Sequence, residues 1–394
     1  VSHRSSDRPI VILGAGLSGL SLACALCEQN YQGPVLLIDR RQSWERDRTW
    51  CTWLTEPLRF SDCVTHRWPA WRTRTPAGQT IASSRRHPYV HIDAERVYEA
   101  ALGRIARAPN LELCPGESVR SVETGQTGDV LAVHTSDRTV AADLVFDALG
   151  PGSPLGGRRA PGSIEFAQRF VGWEVEVDAP VFDPGTATLM DFRPHAGVGS
   201  SFIYVLPFSP TRALVEHTSI EPREAPAVDR DAALAQELQS WGVADWQVLR
   251  RERALIPMTT FRFPAQRAPG LYTLGAAAGA IRPSSGYAFT RIQRHASQIA
   301  VALVAQRPPP ARVSRPRHDL LDRVFLHALA HTPGPEALFL AAATAPGDVF
   351  ARFMTDTSTL RDEARIIAAL PAAQMARAAW GAIAASRASV LHSW

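Results

Sequence analysis

The sequence predicts a two-lobed α/β protein: a Rossmann-like dinucleotide-binding lobe, a second lobe built on an antiparallel sheet, and a helical C-terminal extension. Three observations lead there. First, "PIVILGAGLSGLSLACALCEQNYQGPVLLIDR" reads as strand, glycine turn, helix and second strand within about thirty residues. Second, the runs "FVGWEVEV" and "SFIYVLPFSPTRALVEHTSI" read as long strands, with a helix near "DAALAQELQSWG". Third, beyond the Pro/Arg break "RPPPARVSRPR" the chain is rich in Ala and helical in pattern to Trp394. The expected division is 1–80, 120–165 and 266–310 for the dinucleotide lobe, 81–119 and 166–265 for the substrate lobe, and 311–394 for the helical region.

Length and composition set the limits within which these elements are read. At 394 residues, with 45% hydrophobic and 20% charged residues, the chain suits a soluble globular protein of two or three lobes. No apolar run approaches the ~18 residues that span a bilayer. The first ten residues hold no apolar core like that of a signal peptide, so a cytoplasmic protein is expected. No Lys occurs, so all 42 basic side chains are Arg, which excludes Schiff-base lysine chemistry. A net charge of +4, scattered along the chain, argues against a nucleic-acid partner but suits weak attraction to an anionic membrane surface. The five Cys lack disulfide or zinc-ribbon spacing, and no metal site is expected. Cys24 and Cys27 fall inside the first helix with no second pair, and read as buried helix-face thiols.

The first glycine turn carries the cofactor signal. Gly14, Ala15, Gly16 and Gly19 form G-x-G-x-x-G between strand and helix, where a pyrophosphate can approach the backbone and the helix N-terminus offers unpaired N–H groups. The second strand ends in Asp39 and Arg40, where a carboxylate can accept from adenosine ribose hydroxyls. This much fits FAD and NAD alike. Two later segments separate them. "DLVFDALGPGS" brings a buried-type strand with Asp143 and Asp147 to Gly150 and Gly152. "GLYTLGAAAGAIRPSSGYAF" enters a second small-residue loop with Gly275, Gly279 and Gly286, over 260 residues after the first. A nicotinamide dehydrogenase does not need that second loop, whereas an FAD enzyme of the hydroxylase type does. A helix is expected to follow from about Ala288 to Gln306.

The chain resembles the flavin-dependent lycopene beta-cyclases of bacteria and plants. "DRTWCTW" is similar to the family's N-H-T-W segment, "FVGWEVE" to F-x-G-x-E, "RERALIPM" to R-E-x-G-x-x-P-I and "RPSSGYAF" to H-P-x-T-G-Y. The closest match is "MDFRPHAGVGSSFIYVLPFSPTRALVEHTSI", with Met190, Asp191 and Glu216 in place. The likeness runs in order over most of the chain, including "DVFARFMTDTSTLRDEARI". It implies a redox-neutral cyclisation of the psi ends of lycopene to beta rings, with FAD required in its reduced form and NADPH acting as a reductant. The absence of an acid at Ala276, where hydroxylases carry Asp, weakens a hydroxylase reading and costs a cyclase reading little.

The resemblance assigns the acid to Glu216 in "VEHT", the counterpart of L-E-E-T or I-E-D-T. His217 stands where the family usually has a second acid and is a candidate proton relay. Arg48 and Arg282 stand where the family has His. Trp50, Trp53, Trp68, Trp71, Trp173, Phe202 and Tyr204 lie in segments expected to meet the substrate, where ring faces can stabilise a cation. A long hydrocarbon substrate implies peripheral contact with the inner face of a membrane, and the Asp348 to Arg377 pattern suggests a helix with an apolar and a basic face. The alternatives are a flavin monooxygenase of the same fold, a carotenoid or lipid carrier, and a cyclase of another polyprenyl or terpenoid substrate.

Overall fold

The computed structural model describes residues 8–124, 131–150, 153–155, 163–194, 199–226, 228–261, 263–264, 266–310 and 312–391, and Gly152 lies outside them. Nine helices are described: α1 (Leu17–Glu28), α2 (Ala94–Ala106), α3 (Arg230–Ser240), α4 (Phe289–Val304), α5 (Pro316–His331), α6 (Glu336–Ala343), α7 (Gly347–Met354), α8 (Leu360–Ala369) and α9 (Ala372–Leu391).

The first lobe rests on a six-stranded sheet. Ile10–Leu13 lies at its centre, parallel to Val35–Asp39 on one side and to Leu144–Asp147 on the other. Both central strands are buried on both faces, so they read as continuous apolar runs rather than alternating ones. Their two-residue period divides them cleanly. Ile10, Ile12, Val35 and Leu37 face α1, α2 and α4, whereas Val11, Leu13, Leu36 and Ile38 face a small three-stranded sheet that includes Leu131, Val133 and Ala142.

The second lobe is a seven-stranded sheet in which Glu165–Val177 runs antiparallel between Arg212–Pro222 and Trp246–Thr259. One face carries Val171, Trp173, Val175, Ile203 and Val215 against α3. The other carries Leu189, Leu206 and Leu214 against Trp53, Tyr89 and the C-terminal helices. Helix α3 starts cleanly because Asp229 caps it, its carboxylate accepting from the Ala232 N–H at 3.0 Å.

The expected lobe boundaries need correction at 70–83 and 94–115. Ala70–Thr75 pairs in parallel with Thr186–Arg193, and Gly78–Ser83 follows at the edge, so both strands belong to the second sheet. Conversely, Leu111–Pro115 extends the first sheet beside Val35–Asp39, and α2 packs into the core of that lobe. The stretch from Asp348 to Arg377 is not one amphipathic helix but α7, α8 and the start of α9. Val349 and Phe350 of α7 are buried inward.

Candidate active site

The glycine turn separates into two kinds of position. A Cβ on Gly14 would lie 2.8 Å from the Ala148 carbonyl oxygen, and one on Gly19 would lie 1.9 Å from that of Gly14, so these two glycines permit strand and helix to touch. Gly14 also has φ +97. Gly16 differs: a Cβ there would meet only an Arg41 nitrogen, at 3.9 Å. Gly16 is the N-cap of α1 and has no side-chain cap, which leaves the first N–H groups of the helix without an intrahelical partner. The open space before Gly16 and the uncapped helix end fit a dinucleotide pyrophosphate.

Asp39 ends its strand where the sequence puts it, but its carboxylate is also a structural brace. It accepts from the Ala15 N–H at 2.6 Å and from the Arg41 N–H at 2.8 Å. Arg41, rather than the exposed Arg40, turns back to it, with Nη2 to Oδ2 at 3.1 Å. The Arg41 guanidinium lies 5.3 Å from the Trp44 ring centre and 5.7 Å from that of Tyr98. The correction from Arg40 to Arg41 follows from the strand's end: Arg40 turns outward, and only the next residue can fold over the carboxylate.

The second loop joins that cofactor end to the second sheet. Gly275 has φ +64 and sits against α1, where a Cβ would lie 1.9 Å from Ser18 Oγ. At its far end, Gly286 has φ +78 and abuts Gln168 of the second sheet. Gly279, also left-handed, closes a short turn over Gly275–Ala278. Ser284, Ser285 and Tyr287 from this loop line a cavity of about 550 Å³, whose other walls are Trp53, Met190, Phe350, mostly apolar residues of α5 to α9, and the polar Thr73 and Asp322. Its size and apolar lining suit a hydrocarbon ligand.

Behind this wall stands the acidic centre. Gly172 is paired across one edge with Glu216 and across the other with Glu252, so the two glutamates flank a residue with no side chain. Both are 8% exposed, and their carboxyl groups are within hydrogen-bonding reach of each other. Burial, then the neighbouring charge and hydrogen bond of Glu252, push the Glu216 carboxyl well above the usual carboxylate range. Burial opposes ionisation of Glu252 too, but its contacts with Glu216, Arg250 and Thr49 hold it lower than usual. Arg250 Nη1 donates to Glu252 Oε2 at 2.7 Å, and Thr49 Oγ1 donates to the same oxygen at 2.9 Å. Glu174 anchors Arg250 from behind, at 3.3 Å, and also pairs with Arg46 at 3.2 Å.

Glu216 itself does not line the cavity; a layer of hydroxyl groups lies between. Tyr204 is paired with Glu216 in the sheet, the Tyr204 and Tyr89 hydroxyls are 2.9 Å apart, and Tyr89 is 2.7 Å from Tyr287 at the cavity wall. Cys51 lies half-buried beside these groups, its thiol pushed up to about 12 by removal from water.

His217 does not join this centre. Strand alternation turns it to the opposite face, where its Nε2 lies 3.0 Å from Ser201 Oγ, so it cannot relay a proton to the cavity face. Trp173 is turned the same way and donates to Asp231 at 2.9 Å. Of the other aromatics, Trp53 reaches the cavity, Trp71 packs beside it, and Trp68 packs on Tyr89. Trp50 lies against Tyr98 and Phe289, and Phe202 packs on Phe192. Cys24 and Cys27 are thiols on α1, the first buried and the second half-buried. Arg282 is buried, with Nε donating to Asp322 at 2.8 Å.

Residues 9–380 match the family model "Lycopene cyclase protein". The chain belongs to the lycopene cyclase family. It is 26% identical to a lycopene beta-cyclase of Paracoccus sp., over 92% of this chain and 94% of that protein. It is 25% identical to the capsanthin/capsorubin synthase of Capsicum annuum, over 75% of this chain but only 60% of that protein's length. Among solved structures, a geranylgeranyl bacteriochlorophyll reductase-like protein from Thermoplasma acidophilum matches with TM-score 0.62 and 14% identity, over 91% of this chain and 95% of the other. That likeness establishes the fold. Within this chain, Glu252 and Gly172 are the positions that sequence reading missed as site residues, although both lie in segments that carry the family resemblance. Their signal was the matched spacing around F-x-G and R-E, which gains meaning only through the pairing of the strands.

Proposed function

We propose that the enzyme cyclises the psi ends of lycopene to beta rings, with FAD as bound cofactor, and the observation that carries this reading is a buried carboxyl, Glu216, paired with Glu252 and separated from an apolar cavity by a layer of tyrosine hydroxyls. Gly14, Ala15, Gly16, Gly19 and Asp39 would hold the adenosine and pyrophosphate end, and the loop with Gly275, Gly279 and Gly286 would border the flavin end. Bound FAD, reduced by NADPH or another donor, would supply negative charge near a developing carbocation. Glu216 provides the proton for C2 through the tyrosine layer, the C5=C6 double bond attacks the C1 cation, and loss of the C6 proton completes the ring. Proton gain and loss balance, so the product is an isomer of the substrate.

Excluding water is the task of the aromatic wall. Trp53, Phe350 and Tyr287 surround the cavity end, where ring faces attract a desolvated cation by about 2 kcal/mol or more.

Supply of so apolar a substrate points to a membrane. Leu320, Ile367, Ala368, Ala372 and Ala376 line the cavity, and all face solvent. Around this mouth Leu360, Trp380 and Ile383 are exposed, as are Arg361, Arg365 and Arg377, whereas the acids Asp362 and Glu363 are buried and paired. Helices α8 and α9 meet at a bend of 116°. An apolar rim ringed by arginines fits the surface of an anionic bilayer, on the inner face of the cell membrane.

The test is anaerobic incubation with lycopene in liposomes and dithionite-reduced FAD, followed by pigment chromatography. Glu216→Gln keeps the shape and removes the acidic proton, so ring formation should fall by about 10²- to 10⁴-fold with FAD retained. In D₂O each ring should gain one deuterium at C2. Wild-type rates in Glu216→Gln, or rings without deuterium, would refute the reading.

A further inference from the structure

Glu252 is a buried acid to which the proposed chemistry gives no role. Its Oε2 is fully engaged by Arg250 and Thr49. Its Oε1 is buried and receives no hydrogen bond from an N–H or O–H of any described residue, unless the facing carboxyl carries the proton. A buried carboxylate oxygen without a donor is costly. The strand register leaves Glu216 as the group placed to supply one, because Gly172 puts nothing between the two carboxyls. A Cβ on Gly172 would lie 2.9 Å from Glu216 Cγ and 3.1 Å from Glu252 Cγ, so the pair depends on glycine.

We propose that Glu252 is the positioning residue of the proton donor: anchored by Arg250 and Thr49, it accepts a hydrogen bond from the Glu216 carboxyl and keeps the pair's single proton on Glu216. This rests on Glu216 being the acid of the cyclisation. The partition follows from asymmetry. Glu252 has a guanidinium and a hydroxyl bonded directly to it, whereas Arg250 acts on Glu216 only as the weakest of the influences on it, and the groups around Glu216 are its neighbour and a layer of neutral hydroxyl and thiol groups, Cys51, Tyr89, Tyr204 and Tyr287. Two carboxyls in hydrogen-bonding reach of each other do not both ionise, so the one without a directly bonded cation keeps the proton. Among the described residues, the charges linked to the pair through Arg250 are already matched: Glu174 meets Arg250, Arg46 and Arg212, and Arg46 also meets Asp93. When Glu216 gives up its proton, the facing Glu252 charge disfavours the carboxylate and drives its reprotonation for the next turnover.

Two measurements test this. Activity needs protonated Glu216, so it is present at low pH and lost as pH rises through the Glu216 pKa. Glu252→Gln removes the repelling charge and lowers that pKa, so the alkaline limb of the rate profile for lycopene in liposomes should move down by one pH unit or more. That is a loss of about tenfold or more at pH values above the shifted limb. Glu252→Asp, which keeps the charge on a shorter arm, should restore the limb towards its wild-type position. Separately, infrared titration of the FAD-loaded wild-type protein should show a protonated buried carboxyl at pH 7 that disappears in Glu216→Gln. An unmoved limb in Glu252→Gln, or no such carboxyl in the wild type, overturns the proposal. A wild-type protein that makes no cyclised pigment overturns the cyclase reading instead, and the infrared titration still decides whether the pair shares its proton.

Discussion

Replacing Gly172 with alanine is the smallest change that separates Glu216 from Glu252. The new Cβ would lie 2.9 Å from Glu216 Cγ, 3.1 Å from Glu252 Cγ and 3.2 Å from a Glu216 carboxyl oxygen. Carbon atoms rest at about 3.5–4.0 Å, so one or both glutamates must move by roughly 0.5–1 Å. The backbone is not the obstacle, because Gly172 lies inside the strand Glu165–Val177 and outside the left-handed region. Overfilling a packed site costs about 1–3 kcal/mol, so the variant should fold and bind FAD with a lowered melting temperature. Misplacing a reacting group by about 1 Å can cost ~10²-fold in rate, so cyclisation should fall by about 10- to 100-fold. The assay is the initial rate of lycopene loss with dithionite-reduced FAD, normalised to bound flavin. Gly103→Ala in α2 is the control, since its Cβ would meet only an Arg107 nitrogen at 3.7 Å, and its rate should equal wild type. A Gly172→Ala enzyme that cyclises within twofold of wild type would refute the packing argument.

Gly16→Val should yield colourless protein, because the side chain fills the open space at the α1 N-terminus; visible absorbance after purification reads it directly. Asp356 is held down to about 2 although burial opposes ionisation, because Arg291 and Arg282 attract its charge. A depressed carboxyl contributes stability that is present above its unfolded value and lost as pH falls through the folded one. The wild type should therefore lose stability between about pH 4 and pH 2, and this component should be missing in Asp356→Asn, as thermal melts across that range would show. Reversing Arg361, Arg365 and Arg377 to Glu together should abolish sedimentation with anionic vesicles, since each arginine near such a surface contributes about 1 kcal/mol, while activity on detergent-dispersed lycopene persists.

The sequence made the first lobe legible because its signals are local. Gly14, Gly16, Gly19 and Asp39 sit within one strand–turn–helix–strand unit, and helix period and strand length place them without tertiary knowledge. Glu216 was legible through family likeness, not through its own environment. What local pattern could not show is register. Gly172, Glu216 and Glu252 come from three separate strands, and only their lateral alignment makes a pair. The same limit explains His217. Adjacent to the acid in sequence, it is opposite to it in space, because a strand alternates faces at every residue. The lobe boundaries failed for a related reason. Ala70–Thr75 joins the second sheet through parallel pairing with a strand more than a hundred residues later, and its own composition does not show that partner.

How substrate reaches the cavity follows from what cannot move. Arg282 and Arg291 of the cofactor loop and α4 meet Asp322 of α5 and Asp356 after α7, all buried; Arg291 Nη2 to Asp322 is 2.9 Å, and Arg291 and Asp356 also pair. His318 of α5 adds a contact to Glu363 of α8 at 3.0 Å. Separating such pairs would leave buried charges uncompensated, at about 3–5 kcal/mol for one broken pair. Helices α5, α7 and the start of α8 are therefore clamped to the loop that carries Arg282, and moving them aside as a lid would break these pairs. Among the described residues, cavity-lining positions of α5, α8 and α9 are themselves exposed, Leu320, Ile367 and Ala372 among them, and offer a way in. These three carry no charge and no ion pair, so a hydrocarbon chain can pass between them without breaking the network. The network that holds the loop carrying Tyr287 thus leaves this apolar opening as the entrance consistent with the proposed function.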